Sequence, residues 1–182
     1  GTGFNDILTG DDGNNVLATY GDKQLLVDAG QPSNVFPLGS LTASHAHQIR
    51  FTMGLDGALN NADPDTCAAP MNDASMHWGM GAEEGYWFLV LEGRADSDNS
   101  GAIEDTDAPF SYRCGGDALT RHGWAVMHQE IPNGGTLTVE TPVDVERLMG
   151  GVDVLANVTA LGDTPLNVQL MDSLRANFQE AH

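Results

Sequence analysis

The sequence predicts a mainly β fold, namely an antiparallel β-sandwich or barrel-like domain with long loops and one or two short helices. Apolar runs of four to seven residues recur from residue 23 onward, and Gly, Pro, Asn and Asp separate them. The chain of 182 residues contains 22 glycines and 8 prolines, a composition typical of loop-rich proteins. Because 41% of the residues are hydrophobic, we expect a packed core and no global disorder.

The predicted strands are rich in Val, Leu, Phe, Trp and Thr. They are residues 24–27, 47–53, 87–91, 124–128 and 136–139. Two long segments, residues 60–85 and 95–107, are predicted to be loops. Loops of this length within a compact domain usually carry function or are held by other contacts.

Two segments are predicted to be helices. Residues 142–149 begin with Pro142 and precede Gly150 and Gly151, which are start and stop signals. Residues 164–178 begin with Thr-Pro, and their apolar side chains recur at helical spacing. These side chains are Leu166, Leu170, Met171, Leu174 and Phe178. We expect this second helix to be amphipathic and to pack on the sheet.

The first 22 residues are predicted to form an extension to a β domain that spans residues 23–182. Within the extension, NDIL at residues 5–8 aligns with NNVL at residues 14–17 at a step of nine, the nonapeptide period of calcium-binding β-rolls. The candidate calcium ligands are Asp6, Asp11 and Asp12. Because about three or more repeats are needed for a self-supporting stack, the alternative is a pair of turns that joins two short strands.

The charge balance excludes one class of partner. The chain has 7 basic and 26 acidic residues, for a formal net charge of -19. Such a surface repels phosphate backbones, so we expect no nucleic-acid binding. No apolar run approaches the roughly 18 residues that a membrane-spanning helix needs, so the protein is not expected to span a membrane. The first residue is Gly rather than Met, which favours a processed, exported chain.

The two cysteines, Cys67 and Cys114, are predicted to form a disulfide. In an exported protein such a bond would close a loop of nearly fifty residues and contribute a few kcal/mol of stability. Metal binding by the two thiolates is the alternative, but the sequence has no CxxC spacing to favour it.

Imidazole and soft sulfur donors indicate a copper site rather than acid–base catalysis. Residues 76–80 (MHWGM) place a histidine and a tryptophan between two methionines. His45 and His47 are two residues apart at the start of a predicted strand, so both imidazoles are expected on one face, within reach of one ion. His128 ends another predicted strand and is a third candidate ligand. The sequence contains none of the GxSxG, HExxH, P-loop or CxxC motifs of common catalytic sites.

Five short motifs follow one another within residues 50–93. They are RFTMG (50–54), LNNADP (59–64), APMN (69–72), SMHW (75–78) and GYWFL (85–89). In this order the segment resembles the MbnP family of exported copper proteins and its methanotroph relatives MopE and CorA, and it is most similar to CorA and MopE. The resemblance covers some forty residues, whereas the first forty residues of the chain show little of it.

The resemblance implies a specific copper site. In this family a tryptophan of a Trp-x-Trp motif can be oxidised to kynurenine, whose aromatic amine binds copper together with histidines. The matching residue is Trp78, which on chemistry alone would be a packing residue. A di-haem peroxidase-like partner is implied as the protein that modifies it. Asn61 and Met80 stand where the family pattern has a histidine and the second tryptophan, so His45 or His47 is expected to supply the missing imidazole.

We therefore expect an exported protein with a mononuclear Cu(I) site that serves copper acquisition or storage. The resemblance implies the outer surface or periplasm of a Gram-negative bacterium. The expected ligands are His45, His47, His128 and modified Trp78, and His128 also matches the family's histidine after a Gly-aromatic run. One alternative is a calcium-stabilised surface or adhesion module, favoured by the nonapeptide pair. The other is a secreted copper-dependent enzyme, which would need an open metal position and a substrate cleft.

Overall fold

The computed structural model describes residues 2–3, 15–20, 22–31, 34–40, 44–79, 84–131 and 133–179. Within these ranges, the side chains of residues 2–3, 15–20, 127–128 and 179 are outside the description. The candidate calcium ligands Asp6, Asp11 and Asp12 lie outside the described residues, as does Met80.

Short strands alternate with long connections along the chain. The strands are β1 (Thr2–Gly3), β2 (Asn15–Tyr20), β3 (Lys23–Asp28), β4 (Val35–Phe36), β5 (His45–Met53), β6 (His77–Gly79), β7 (Gly85–Ala95), β8 (Ala108–Gly115), β9 (Arg121–Glu130), β10 (Val139–Glu140) and β11 (Thr159–Leu161). The helices are α1 (Gly57–Asn60), α2 (Val145–Leu148) and α3 (Pro165–Gln179). Single 3-10 turns occur at Pro64–Thr66, Ala74–Met76 and Asp117–Leu119.

The larger sheet has the strand order β11-β8-β7-β2-β5-β9 and curls into a half-barrel. Strand β3 pairs with β2, and the short β6 pairs with the start of β7. Strands β10, β1 and β4 form a small second sheet. The ladders between β5 and β9 and between β7 and β8 are antiparallel, whereas β11 runs parallel to β8. The mainly β fold predicted from the sequence is confirmed.

Four of the five predicted strands fall within β3, β5, β7 and β9. The fifth, residues 136–139, is extended as a strand only from Val139, where β10 begins. The sequence does not predict β8, because Pro109 and several polar residues interrupt its apolar alternation. This strand is held by its neighbour: the carboxylate of Glu92 on β7 accepts hydrogen bonds from Ser111 and Arg113, each at 2.9 Å.

Helix α3 packs against β8 and β9, as its amphipathic pattern predicts. Leu170, Met171 and Leu174 are fully buried. Phe178 meets Phe51 of β5 edge-on, with ring centroids 4.9 Å apart. Burying each of these side chains contributes about 1.5–3 kcal/mol, so the contact between α3 and the sheet forms a large part of the core.

Two predicted boundaries differ from those observed. Helix α2 starts at Val145 rather than at Pro142, because the Asp144 side chain caps it and accepts the backbone N–H of Arg147 at 3.1 Å. Strand β2 lies within the predicted extension, residues 1–22, and forms a hairpin with β3. The large sheet therefore begins before residue 23, and a separate role for the extension stays a prediction.

Candidate metal-binding residues

Strands β5 and β9 carry the three histidines predicted to bind metal, and a β-bulge interrupts the ladder between these strands. The register shifts between Ala46 and Gln48, so that His47 on β5 lies opposite two residues, Met127 and His128, on β9. Bulges re-aim side chains and are frequent beside active sites. Two predicted ligand positions thus face each other on neighbouring strands; the His128 side chain itself lies outside the described part.

His45 lies two residues before His47, at the end of the same ladder. Its Nε2 is 3.7 Å from the carboxylate of Glu130, and its Nδ1 is 3.0 Å from the hydroxyl of Ser44. His45 and His47 are exposed, whereas Ala46 between them is half-buried. This alternation is consistent with the shared strand face that their spacing predicts. The imidazoles of both residues are accessible to a metal ion from solvent.

His122 stands at the opposite end of β9. It pairs with Thr52, whose hydroxyl lies 3.0 Å from its Nδ1. Six residues separate His122 from His128, which corresponds to roughly 20 Å along an extended strand. His122 is therefore remote from the bulge and from His45, His47 and His128.

Trp78 lies on β6 and stacks on Trp87 of β7. The ring centroids are 4.3 Å apart and the ring planes are inclined by 31°. The indole Nε1 of Trp78 is buried and has no hydrogen-bond partner among the described residues. Leaving a buried donor unpaired costs about 1–3 kcal/mol. The stacking is typical of a residue that only packs in the core. The unpaired nitrogen, in contrast, lowers stability, so Trp78 is not at this position for stability alone.

His77, beside Trp78, has a second unpaired ring nitrogen. Its ring meets Tyr86 edge-on, with centroids 4.8 Å apart and planes at 78°. Its Nε2 is buried and has no hydrogen-bond partner among the described residues. An imidazole nitrogen in this state is a suitable donor for a copper ion. The sequence prediction leaves His77 out of the ligand set, although its position in the MHWGM run was an available signal.

Tyr86 anchors β7 beneath His77. Its hydroxyl donates a hydrogen bond of 2.6 Å to the carbonyl of Met71, and the side chain is fully buried. Burial raises the pKa of Tyr86 to about 12, and the neighbouring Cys67 adds to the shift. The phenol therefore stays protonated at physiological pH and acts as a donor rather than as a phenolate ligand.

Asn60 fixes the start of the strand that carries Tyr86. Its Oδ1 accepts the backbone N–H of Tyr86 at 2.8 Å. Its Nδ2 donates to the carbonyl of Glu84 at 3.3 Å and to the carboxylate of Asp117 at 2.9 Å. Asn60 is 1% exposed, so one buried side chain ties α1 to the start of β7 and to the turn before β9.

The predicted disulfide is wrong, because Cys67 and Cys114 are both free thiols. Cys114 lies on β8 and is fully buried, with its Sγ 3.9 Å from the carbonyl of Asn167 in α3. Burial raises the pKa of the Cys114 thiol well above its usual value. Cys67 is half-buried and interacts with the Tyr86 side chain. The two thiols therefore occupy different packing environments, a fact that their spacing in the sequence does not reveal.

The loop between β7 and β8 gathers three carboxylates. One oxygen each from Asp96, Asp98 and Asp107 lie within 4.8 Å of one another, and this is the one such group of His, Cys, Asp or Glu ligand atoms among the described residues. Asp107 is 4% exposed and accepts the backbone N–H groups of Ser97 at 2.9 Å and Glu104 at 2.8 Å. These hydrogen bonds, that from Ser97 first, hold the pKa of the Asp107 carboxyl below its usual value.

The same loop has the spacing of a twelve-residue EF-hand calcium loop. In such loops, ligands come from positions 1, 3, 5, 7, 9 and 12, and a glycine occupies position 6. The corresponding residues are Asp96, Asp98, Ser100, Ala102, Glu104 and Asp107, with Gly101 sixth at a φ of 81°. Here the loop joins two strands rather than two helices. The segment is predicted above only to be a long loop, although the D-x-D-x-S-G spacing is visible in the sequence.

Comparison with known proteins gives one match. The family model MbnP matches residues 6–171, a range that includes His45, His47, Trp78 and His128. No curated protein and no solved structure matches the chain. Among the described residues, none of the helices is long and apolar enough to cross a membrane.

Proposed function

Because the chain belongs to the MbnP family, whose members are typically exported, we propose that it is an exported copper-binding protein. Its site is mononuclear, favours Cu(I) and serves copper acquisition or storage. Imidazoles and an aromatic amine are neutral nitrogen donors, which suit copper far better than calcium or magnesium. Within this family the likeness to MopE and CorA stays a prediction.

The observation that carries the proposal is the bulge between β5 and β9. It sets His47 opposite Met127 and His128, and it leaves His45 two residues away on the same strand. Three histidine positions are thus confined to one end of one strand pair. Rigid strands are better supports for a ligand set than loops are.

The fourth expected ligand, Trp78 after oxidation to kynurenine, lies at the other end of the sheet from the bulge. Strand β6 pairs with the start of β7, and Asn60 joins that start to the turn before β9. A kynurenine at Trp78 would therefore be a nitrogen donor separate from the three histidines and would not share their ion.

The oxidation of Trp78 opens the pyrrole ring and converts its nitrogen into an aromatic amine, which has the donor character that indole lacks. The buried Nε1 of Trp78 supports the assignment, since it bonds no group among the described residues and is available to another partner. The adjacent His77 also has a buried Nε2 without a hydrogen-bond partner among the described residues. A di-haem peroxidase-like protein is the proposed partner for the oxidation.

Copper binding by histidine variants tests the ligand set. We expect the full chain to bind one Cu(I) per molecule in competition with a chromophoric Cu(I) chelator. His47→Ala and His128→Ala should each weaken binding by at least about tenfold, since even supporting residues of metal sites contribute 10–100-fold. His122→Ala is the matched control, because His122 is an exposed histidine of β9 at the far end of the same strand pair.

Each result has a distinct meaning. If His122→Ala and His47→Ala weaken Cu(I) binding equally, the bulge is not the binding site. No binding by the wild-type chain would remove the copper proposal itself. The intact mass of protein from its native host tests the modified ligand separately, because conversion of one tryptophan to kynurenine adds about 4 Da. An unchanged mass with tight copper binding would leave a site of histidines alone.

Calcium-dependent stabilisation is a second candidate function, favoured by the loop between β7 and β8. Its carboxylates are already gathered, and their spacing is that of a calcium loop. A bound Ca²⁺ would offset the mutual repulsion of Asp96, Asp98 and Asp107 and stabilise the connection between the two strands. This proposal is independent of copper, since oxygen donors suit Ca²⁺ and not Cu(I).

Thermal unfolding with and without calcium tests this second candidate. We expect millimolar Ca²⁺ to raise the Tm of the wild-type chain after treatment with a chelator, and Asp98→Asn to reduce that rise. Asp105→Asn is the matched control, because Asp105 lies in the same loop, is exposed and falls between the ligand positions. The same Tm with and without calcium, or an equal rise in both variants, would contradict the proposal.

A further inference from the structure

We propose that Trp87 is a positioning residue that makes Trp78 the site of oxidation among the three tryptophans of the chain. The inference rests on the proposed conversion of Trp78 and adds the residue that selects it. It starts from the stacked pair, whose ring centroids are 4.3 Å apart. An indole that loses an electron becomes a radical cation, and a second indole in face contact can share its charge. Removing an electron from the pair is therefore easier than removing one from an isolated indole.

Two glycines border the stacked pair, and one of them leaves room for it. Gly115 lies opposite Trp87 in the ladder between β7 and β8, and a Cβ at Gly115 would be 2.9 Å from Cε3 of Trp87. Gly162 adopts a φ of 75°, and a Cβ there would be 3.4 Å from Cη2 of Trp78. A Cβ at Gly115 would therefore collide with the Trp87 ring, whereas a Cβ at Gly162 would make an ordinary van der Waals contact with Trp78. The absence of a side chain at Gly115 is what leaves room for the stacked Trp87.

Burial decides which member of the pair reacts. Trp87 is 4% exposed, whereas Trp78 is half-buried. Water, peroxide or an oxidant can therefore reach a carbon of Trp78 but not of Trp87. The indole N–H of Trp78 donates to no acceptor among the described residues.

Trp124 provides the contrast within the same chain. It lies on the outer face of β9 and is 37% exposed, and the described residues make no ring contact with it. If exposure alone determined oxidation, Trp124 would react at least as fast as Trp78. If the stacked pair determines it, Trp78 reacts first.

The reaction balances with hydrogen peroxide as the oxidant, activated by a haem. Two molecules of hydrogen peroxide accept four electrons and yield two molecules of water. The C2–C3 bond of the Trp78 indole breaks, and each carbon gains one oxygen to give N-formylkynurenine. Water then cleaves the formyl C–N bond and releases formate, which leaves kynurenine. The net change of one oxygen gained and one carbon lost is about 4 Da.

The test uses the full chain with hydrogen peroxide and a small haem peptide as the probe. Peptide mass spectrometry follows oxidation at each tryptophan over time. We expect Trp78 to react first in the wild-type chain. Trp87→Phe, which keeps an aromatic ring in the core, should slow oxidation at Trp78 by about tenfold, equal to about 1.4 kcal/mol of activation free energy. Trp124→Phe, the matched control, should leave that rate unchanged.

Gly115→Ala is a second variant that retains both indoles and displaces the Trp87 ring. It should slow oxidation at Trp78 in the same direction as Trp87→Phe. Near-ultraviolet circular dichroism supplies the signature of the coupled indoles, which both variants should lose and Trp124→Phe should keep. Melting curves show whether each variant is folded when it is oxidised.

An unchanged rate at Trp78 in Trp87→Phe and Gly115→Ala would overturn the inference. Faster oxidation of Trp124 than of Trp78 in the wild-type chain would do the same. These outcomes are separate from failure of the proposed function, which would appear as an unmodified Trp78 in protein from the native host or as absent copper binding.

Discussion

Replacing Asn60 by alanine is expected to destabilise the protein by about 3 kcal/mol. The variant loses three hydrogen bonds, to the backbone N–H of Tyr86, the carbonyl of Glu84 and the carboxylate of Asp117. The N–H of Tyr86 is buried, and an unpaired buried donor costs about 1–3 kcal/mol. The other two bonds add about 0.5–1.5 kcal/mol each, less because water can reach the exposed Asp117.

Denaturant and thermal unfolding measure this loss. For a chain of this size a change of 1 kcal/mol shifts the Tm by about 2–4 °C, so we expect Asn60→Ala to melt about 6–12 °C lower. The adjacent Asn61→Ala is the matched control. Asn61 is exposed and its side chain makes one bond, to the carbonyl of Gly57. Exposed substitutions of this kind stay within about 0.5 kcal/mol.

Asn60→Asp shows how much of the stability loss in Asn60→Ala comes from the lost hydrogen bonds rather than from the lost side-chain volume. It keeps the shape of the side chain but sets a carboxylate against the carbonyl of Glu84 and the carboxylate of Asp117. Near neutral pH it should therefore be at least as unstable as Asn60→Ala, and it should recover as the pH falls to about 4, where carboxyl groups gain protons. If Asn60→Ala and Asn61→Ala lose equal stability, the proposed anchoring of β7 is refuted.

Three further predictions concern packing, thiol chemistry and pH. Gly115→Ala should lower the free energy of unfolding by about 1–3 kcal/mol, measured in urea, because the Trp87 ring must move to admit a Cβ; an unchanged midpoint would contradict the close contact. A thiol reagent should modify Cys67 in the native protein and Cys114 only after unfolding. If neither cysteine reacts in the unfolded chain, the two form a disulfide and the free-thiol assignment is wrong. The lowered pKa of Asp107 contributes stability that is present above about pH 4 and lost as the pH falls through the folded-state pKa. Asp107→Asn should reduce this acid dependence in pH-resolved melting curves, and an identical profile would show that Asp107 does not contribute to it.

Local patterns predicted those parts of the fold that repeat a simple period. The apolar residues of α3 recur at helical spacing, and Leu170, Met171 and Leu174 are buried as expected. Strand β8 has no such period. It is held instead by cross-strand hydrogen bonds from Ser111 and Arg113 to Glu92. Residues far apart in the sequence determine a strand of this kind, so a pattern of a few neighbouring residues does not reveal it.

The candidate site was predictable in composition but not in arrangement. Histidines and Trp78 were visible as donors, yet the bulge depends on how β5 and β9 pair and leaves no local signal. The two cysteines are a similar case, because their spacing in the sequence does not reveal that Cys114 packs against α3. The loop from Asp96 to Asp107 is the opposite case, because its spacing alone identifies a calcium-type pattern.

The bulge in β9 also makes the site sensitive to chain length. Along a regular strand the two faces alternate, and His122, Trp124 and Val126 all point to the exposed side. The extra residue opposite His47 shifts the phase of this alternation for everything that follows. Deleting one residue at position 127 would restore an unbroken ladder and exchange the faces beyond it, while every histidine remained in the chain. In this part of the molecule, insertions and deletions should therefore be more damaging than most substitutions.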